Sequence, residues 1–345
     1  MARVPVDGLE RMRALVAELP TMLVDGFRTG REVALPFDDS SSSRLYACGL
    51  GGSGAAADLA ASVLEAEGRA SLEVVHGEEL PRAVDARATV VIVSYSGGTT
   101  EAIAAYAAAG RRDARRLVVA SGGPLAEQAA DDSVPVVRVP AGLPPRAAFG
   151  HLFGGLLGAL DPVFLESTEQ RVRAAAESVR GHYPALARRN GAPARLAASV
   201  GARLPFVLAD RGIAGVGRRW ATQIEENAKR LAVAQEVPEM LHNAIVGWEA
   251  MRPRDAARCA LIVLERPAAP PSVRDGLRHL TKVVRRRRVP VLPVDLAYDD
   301  PIEAIVQGVA FGDLFSLELA RRDRVDPYPI VAIERLRAAV AAGTR

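Results

Sequence analysis

The sequence predicts an α/β protein of two similar halves, each a mainly parallel sheet flanked by helices in a flavodoxin-like three-layer α/β/α arrangement. Three observations support this. Short, continuously apolar runs alternate with alanine-rich helical segments, as in parallel sheets whose strands are buried on both faces. A glycine-containing turn follows the first strand of each half. The 345 residues suffice for two domains of ~100–200 residues each.

The first half opens with apolar residues at helical spacing over residues 8–29, which predict one amphipathic helix ahead of a polar linker at 38–43. Strands and helices then alternate. The predicted strands are 45–50, 72–75, 90–94, 117–120 and 134–139; the predicted helical segments are 56–67, 100–109 and 126–129. The apolar stretch 147–160 is shorter than the ~20 residues needed to span a bilayer, so we predict a buried helix there.

The second half repeats this plan, with predicted strands at 206–209, 260–264 and 289–294 and predicted helices at 218–234, 273–285 and 302–320. A glycine-containing turn at 212–217 takes the place that residues 49–54 hold in the first half. We therefore predict an N-terminal helical segment at 1–40, a first domain at 41–165, a helical connector at 166–200 and a second domain at 201–345.

The composition argues against several classes of protein. Apolar residues make up 49% and charged residues 25%, the balance of a folded globular chain. The net charge is only +3, and the arginine run 285–288 ends a predicted helix where cations are favoured, so we expect no nucleic-acid partner. Cys48 and Cys259 are too few and too far apart for a disulfide framework or a metal site. We expect a cytoplasmic protein with no membrane segment, metal or cofactor.

The first loop that could bind an anion reads Gly49-Leu50-Gly51-Gly52-Ser53-Gly54 and joins a predicted strand to a helix. Glycines let the backbone approach an anion, and the free N–H groups and dipole at a helix N-terminus favour a phosphate. A dinucleotide site fits less well, because no acidic residue follows the second strand, where Val75 and His76 stand. When this loop is considered by itself, a tight strand–helix turn that binds no ligand remains an alternative.

The second loop, residues 94–99, again leads from a strand into a helix and carries the hydroxyls of Ser94, Ser96 and Thr99. Helix capping by Thr99 would explain one hydroxyl, but not three around two glycines. Hydroxyls and backbone N–H groups donate without adding charge, which suits reversible capture of a phosphomonoester. The two loops together predict an anion site formed by Gly51, Gly52, Ser53, Ser94, Ser96 and Thr99.

These loops resemble the sugar isomerase (SIS) domain, in which a Ser-x-Ser-Gly-x-Thr loop holds the phosphate of a phosphosugar. The second half narrows the resemblance. Residues 223–229 (Gln-Ile-Glu-Glu-Asn-Ala-Lys) and 238–248 are similar to the hallmark region of the bifunctional phosphoglucose/phosphomannose isomerases, as are Pro144-Pro145-Arg146 and the segments 311–313 and 325–327. The similarity runs in the same order from about residue 44 to the C-terminus.

The resemblance implies an aldose–ketose isomerase that interconverts glucose 6-phosphate, and mannose 6-phosphate, with fructose 6-phosphate through an enediolate. Such a reaction needs ring opening, a base that moves the C2 proton to C1, and a cation beside the enediolate. The resemblance assigns proton transfer to Glu226, ring opening to His242 and charge stabilisation to Arg146. In this family the histidine comes from the partner subunit, which implies a homodimer. It implies no metal and no cofactor.

Four positions depart from the family pattern. Arg337 stands where the family has a lysine that assists ring opening, and arginine stays protonated. Leu241 and Ala244 replace polar neighbours that would orient the histidine, and Gly98 replaces an asparagine of the phosphate loop. A catalytically weak or inactive phosphosugar-binding regulatory protein therefore stays open as an alternative, as does an isomerase for an amino sugar.

Overall fold

The computed structural model describes residues 6–33, 44–67, 70–164 and 168–343. Two helices come first, α1 (Val6–Ala17) and α2 (Leu19–Glu32). The single helix predicted for 8–29 is therefore wrong. The interruption falls at Glu18, because Pro20 lies in the first turn of α2 and has no backbone N–H to donate. The polar linker predicted at 38–43 lies outside the described residues.

The first sheet and its helices form in the predicted order. They are β1 (Arg44–Cys48), α3 (Gly51–Glu67), β2 (Leu72–Val75), β3 (Ala88–Val93), α4 (Thr100–Gly110), β4 (Arg115–Ala120), α5 (Gly123–Asp131), β5 (Val136–Arg138) and, after a 3₁₀ turn at Pro145–Ala147, α6 (Phe149–Ala159). The buried helix predicted at 147–160 is α6. Helix α3 starts well ahead of the predicted residue 56, so the glycine-rich loop itself forms its first turn.

The second half follows a 3₁₀ turn at Asp161–Val163. Its elements are α7 (Glu169–Leu186), α8 (Ala192–Val200), β6 (Leu204–Asp210), α9 (Ala214–Ala228), β7 (Val233–Val237), α10 (Ala244–Ala250), α11 (Pro253–Ala256), β8 (Cys259–Glu265), α12 (Pro271–Arg286), β9 (Val291–Asp295), α13 (Pro301–Asp323) and α14 (Val331–Gly343). The helix predicted for 218–234 is wrong at its C-terminal end. Lys229 adopts a left-handed conformation that stops α9, and strand β7 follows.

Both sheets are entirely parallel and share one strand order. The first runs β2-β1-β3-β4-β5 and the second β7-β6-β8-β9, so the first strand of each half lies between its second and third. The prediction of two parallel α/β units of related topology is confirmed. In this order ligands bind at the carboxyl ends of the strands, where the direction of the winding reverses between the first and third strands. The two predicted anion-binding loops follow those strands, β1 and β3.

One apolar core joins the two sheets. A single cluster of buried side chains includes Val91 of the first sheet, Ile262 of the second and Trp220 of the helix layer between them. Helices α3 and α9 approach closely at Gly215, where a Cβ atom would lie 2.8 Å from Leu59 Cδ2. The two halves therefore pack through their helices, and α9 lies next to the helix that begins at the first anion-binding loop.

Glycines also bring α2 close to α6. Gly150, Gly154 and Gly158 repeat every fourth residue, so they share one face of α6. A Cβ atom on Gly154 would overlap the carbonyl oxygen of Leu23 in α2. Within the described part of the chain, no helix is both long and apolar enough to cross a bilayer.

Candidate functional site

The two glycine-containing loops contact each other. Ser53, in the first turn of α3, is 6% exposed, and its Oγ accepts a hydrogen bond from the Tyr95 backbone N–H at 3.1 Å. Gly51 is exposed and has a φ of +55°, a left-handed conformation that glycine adopts without a steric penalty. Because Tyr95 stands between Ser94 and Ser96, the structure brings both loops together at the carboxyl ends of β1 and β3.

The hydroxyls of the second loop bond within the loop. Ser94 is buried and donates to Thr99 Oγ1 at 3.1 Å, whereas Ser96 is exposed and its Oγ accepts from the Gly98 backbone N–H at 3.3 Å. Thr99 occupies the N-cap position of α4, yet its side chain makes no capping hydrogen bond. The Thr99 hydroxyl therefore leaves the first-turn amides of α4 available to an anion.

A buried arginine lies beside the first loop. The Tyr95 hydroxyl donates to the Pro140 carbonyl at 2.9 Å and accepts from the Leu143 backbone N–H at 2.8 Å, which ties the second loop to the segment between β5 and α6. That segment ends in the turn that carries Arg146. A Cβ atom on Gly52 would lie only 3.3 Å from Arg146 Cα, so the absence of a side chain there permits the contact.

Hydrogen bonds hold the Arg146 guanidinium in place. The side chain is buried; its Nε donates to Asn227 Oδ1 at 2.8 Å, and its Nη2 donates to the carbonyls of Pro327 and Tyr328 at 2.6 and 2.9 Å. Its Nη1 lies 3.6 Å from Glu226 Oε2. Burial lowers the pKa of Arg146, and the Glu226 carboxylate opposes that shift. The guanidinium thus presents one edge to the carboxylate.

Helix α9 supplies that carboxylate. The side chain of Glu226 is 22% exposed, whereas its neighbour Glu225 is an exposed surface residue. A partly desolvated carboxylate next to a fixed cation can accept and return a proton, and the cation can stabilise negative charge that develops on a nearby oxygen.

Polar residues on the buried face of α9 support the arginine, and sequence analysis does not assign them a role. They are spaced four apart: Arg219, Gln223 and Asn227. Arg219 Nη2 donates to Asp313 Oδ2 at 2.7 Å and to the Arg146 carbonyl at 3.0 Å. Burial raises the pKa of Asp313, and Arg219 opposes this shift. Polar side chains at every fourth position of a core helix are the sequence signal that could have revealed this network.

His242 lies in a different element from Arg146 and Glu226. His242 is exposed in a 3₁₀ turn after β7, and no hydrogen bond or ion pair among the described residues links it to Arg146. The preceding Leu241 packs against α12, where a Cβ atom on Gly276 would overlap it. Arg337 lies in α14, but its side chain is outside the described residues.

His76 contacts the first anion-binding loop at Gly49. It follows β2; its Nδ1 lies 3.2 Å from the Gly49 carbonyl and its Nε2 lies 3.0 Å from Asp58 Oδ1 in α3. The hydrogen bond to Asp58 raises the pKa of His76. Asp58 also pairs with Arg218 of α9 at 3.4 Å, so these contacts connect the loop with both halves.

Both cysteine thiols are free and buried. Burial raises the pKa of Cys48 to about 12, so this thiol stays protonated at neutral pH. Burial also raises the pKa of Cys259. Over the described ranges, no three His, Cys, Asp or Glu side chains are grouped as a metal site would require.

Comparisons with known proteins agree with this architecture. Residues 190–340 match the bacterial phospho-glucose isomerase C-terminal SIS domain. A bifunctional phosphoglucose/phosphomannose isomerase of Caldicellulosiruptor bescii is 27% identical, over 93% of this chain and 96% of the relative. One from Thermoplasma acidophilum is 28% identical, over 87% and 91%. The crystal structure of a hypothetical protein from Thermus thermophilus aligns with a TM-score of 0.74 at 14% identity, covering 97% of this chain and 94% of that one.

The paired parallel sheets and these matches define a protein with two SIS-type units. Within that class, the chain is similar over most of its length to the bifunctional phosphoglucose/phosphomannose isomerases. The resemblance found in the sequence is thereby confirmed. The roles of individual side chains stay predictions.

Proposed function

We propose that the protein interconverts glucose 6-phosphate and mannose 6-phosphate with fructose 6-phosphate. The observation that carries this proposal is the contact between the first anion-binding loop and the Arg146–Glu226 pair. Arg146 lies against Gly52 of the loop, and its Nη1 is 3.6 Å from Glu226 Oε2. A sugar held by its phosphate at the loops would therefore have a base and a cation beside its other end.

Each part then has one task. The amides and hydroxyls of the two loops bind the phosphate. Glu226 removes the C2 proton and returns it to C1, a task for which a positioned base contributes ~10²–10⁴-fold in rate. Arg146 stabilises the negative charge of the enediolate, and loss of one such group typically lowers kcat by ~10²–10³-fold.

The proposal includes a homodimer in which His242 of one protomer opens the sugar ring bound by its partner. An exposed His242 that forms no hydrogen bond or ion pair with Arg146 among the described residues supports this arrangement.

A coupled assay for fructose 6-phosphate, together with calorimetric binding of glucose 6-phosphate, tests the chemistry. Glu226→Gln should bind the sugar phosphate and lose turnover by ~10²-fold or more, whereas the matched control Glu225→Gln should retain both. Glucosamine 6-phosphate serves as the comparison substrate for the amino-sugar alternative. If the wild type binds glucose 6-phosphate and forms no product, the isomerase proposal is wrong and the regulatory alternative holds.

Subunit mixing tests the dimer. Glu226→Gln and His242→Asn should each be inactive alone, and refolding them together should restore a fraction of wild-type turnover, because one mixed site then carries both native side chains. Mixtures that stay inactive while forming dimers would place His242 and Glu226 in the same protomer's site, whereas a His242→Asn variant with wild-type turnover would remove His242 from the reaction.

A further inference from the structure

Lys229 is an unusual side chain for this sequence and lies next to the proposed base. Only two of the 44 basic residues are lysines, Lys229 and Lys282. Lys229 ends α9, three positions after Glu226, with a left-handed backbone (φ 56°, ψ 36°). Its Nζ turns back to donate to the Glu226 carbonyl and lies 3.4 Å from the Pro327 carbonyl.

The Pro327 carbonyl is also an acceptor for Arg146 Nη2, at 2.6 Å. The two cations therefore share one acceptor, the Pro327 carbonyl, and Lys229 also donates to the backbone carbonyl of Glu226. The charged groups that act on Lys229 are Arg146 from the turn before α6, Asp326 from the segment before α14, and Glu226. Burial and Arg146 lower the pKa of Lys229, while Asp326 and Glu226 raise it. Although Lys229 as a whole is exposed, an ammonium group with a lowered pKa gives up its proton more readily than one with the ordinary value.

We propose that Lys229 exchanges protons with the sugar oxygens O1 and O2 during isomerisation. This inference rests on the proposed function. Glu226 takes the proton from C2, the electron pair of that C–H bond forms the C1–C2 double bond, and the carbonyl π pair moves onto O1. The resulting enediolate, whose negative charge Arg146 stabilises, takes a proton on O1 from the Lys229 ammonium group, which gives an enediol and a neutral amine.

The second half of the reaction restores both groups. The Lys229 amine takes the O2 proton, the electron pair of that O–H bond forms the C2 carbonyl, and the π pair of the double bond takes the proton that Glu226 returns to C1. Glu226 and Lys229 thereby return to their starting protonation states, and the reaction needs no other reactant.

Neither Arg146 nor Glu226 can exchange these protons with O1 and O2. Arg146 stays protonated, because the guanidinium does not lose a proton in proteins. Glu226 is already occupied by the carbon-bound proton. Arginine is the common basic residue of this chain, and at position 229 it would keep the positive charge but lose the exchange.

Lys229→Arg in the full-length protein tests the proposal, with Lys282→Arg on the exposed surface of α12 as the matched control. We expect Lys229→Arg to lower kcat by ~10²-fold while KM and the calorimetric affinity for glucose 6-phosphate change little. It should also remove one limb of the pH–rate profile. Lys282→Arg should match wild type. A Lys229→Arg enzyme with wild-type kcat and pH profile would overturn the proposal.

A second measurement does not depend on turnover. Reductive ¹³C-methylation labels only two lysines and the N-terminal amine, so each NMR signal is assignable by the two lysine variants. The Lys229 signal should titrate below the ordinary range of lysine side chains and shift when glucose 6-phosphate is added. If it does neither, while the wild type turns over and Glu226→Gln does not, the lysine proposal is wrong and the proposed function stands. If the wild type itself forms no product, both fall.

Discussion

Replacing Asp313 by alanine tests the buried charge network behind the site. The Asp313 carboxylate accepts from Arg219 Nη2 at 2.7 and 3.1 Å, and Arg219 is only 1% exposed. The guanidinium lies 4.6 Å from the Phe149 ring centroid and donates to the Arg146 carbonyl. Asp313→Ala keeps those two contacts but leaves a buried cation without its anion.

Removal of one partner from a buried ion pair destabilises a protein by ~3–5 kcal/mol, because the remaining charge stays desolvated. The Asp313 side chain is 13% exposed, so water can partly replace it. We therefore expect a loss near the lower end, ~3 kcal/mol. The double variant Arg219→Met, Asp313→Leu removes both charges and should recover most of that loss, since apolar replacement of a buried pair is often close to neutral.

Urea unfolding measures these changes by tryptophan fluorescence, to which two buried residues contribute: Trp220, next to Arg219 on α9, and Trp248. Wild type, both single variants and the double variant form a complete cycle. If the free energy of unfolding of Asp313→Ala lies within ~0.5 kcal/mol of wild type, the Arg219–Asp313 pair does not stabilise the protein. A double variant as unstable as Asp313→Ala would show that packing, rather than the unpaired charge, explains the loss.

Two further predictions concern stability. Gly154→Ala places a Cβ atom against the Leu23 carbonyl and should cost ~1–3 kcal/mol, whereas Gly181→Ala, with no atom within 4 Å, should gain ~0.5–1 kcal/mol. The hydrogen bond to Asp58 raises the pKa of His76 above its ordinary value of 6.5, so this stabilisation is present below that value and is lost as pH rises through the folded pKa. His76→Gln should flatten that pH dependence by less than ~1 kcal/mol, because the side chain is 48% exposed.

Denaturant unfolding checks both. Equal unfolding free energies for the two glycine variants would contradict the close contact of α2 with α6. A His76→Gln variant that keeps the wild-type dependence of stability on pH would show that the Asp58 contact does not hold the proton, with Asp58→Asn as the paired variant.

Much of the fold can be predicted because its signals are local. Each buried strand is a continuous apolar run, and each glycine-containing turn follows one. The errors also have local causes. Residues 229–234 continue the alanine-containing pattern of α9, so the sequence predicts helix where β7 begins. The left-handed backbone of Lys229 ends α9 ahead of β7, which starts at Val233. The break at Glu18 is hidden because the apolar spacing runs on through Pro20.

The site divides in the same way. The hydroxyl-bearing loops can be located from the sequence, since their residues are consecutive. The contacts of Arg146 cannot, because its partners Asn227 and Tyr328 lie 81 and 182 positions away along the chain. The resemblance to a family supplies Glu226 and Arg146 as candidates; only the three-dimensional structure shows that Asn227 and Pro327 hold the arginine.

The anchoring of Arg146 has a consequence for recognition. Because folding itself fixes the guanidinium plane, a ligand that gains negative charge there meets a preorganised dipole environment and induces little reorganisation. A planar, acyclic phosphate ester with a delocalised anion at the far end should therefore bind more tightly than the neutral sugar. The gain in affinity over the neutral sugar would measure how much of the rate acceleration comes from charge-stabilising groups that folding has already positioned.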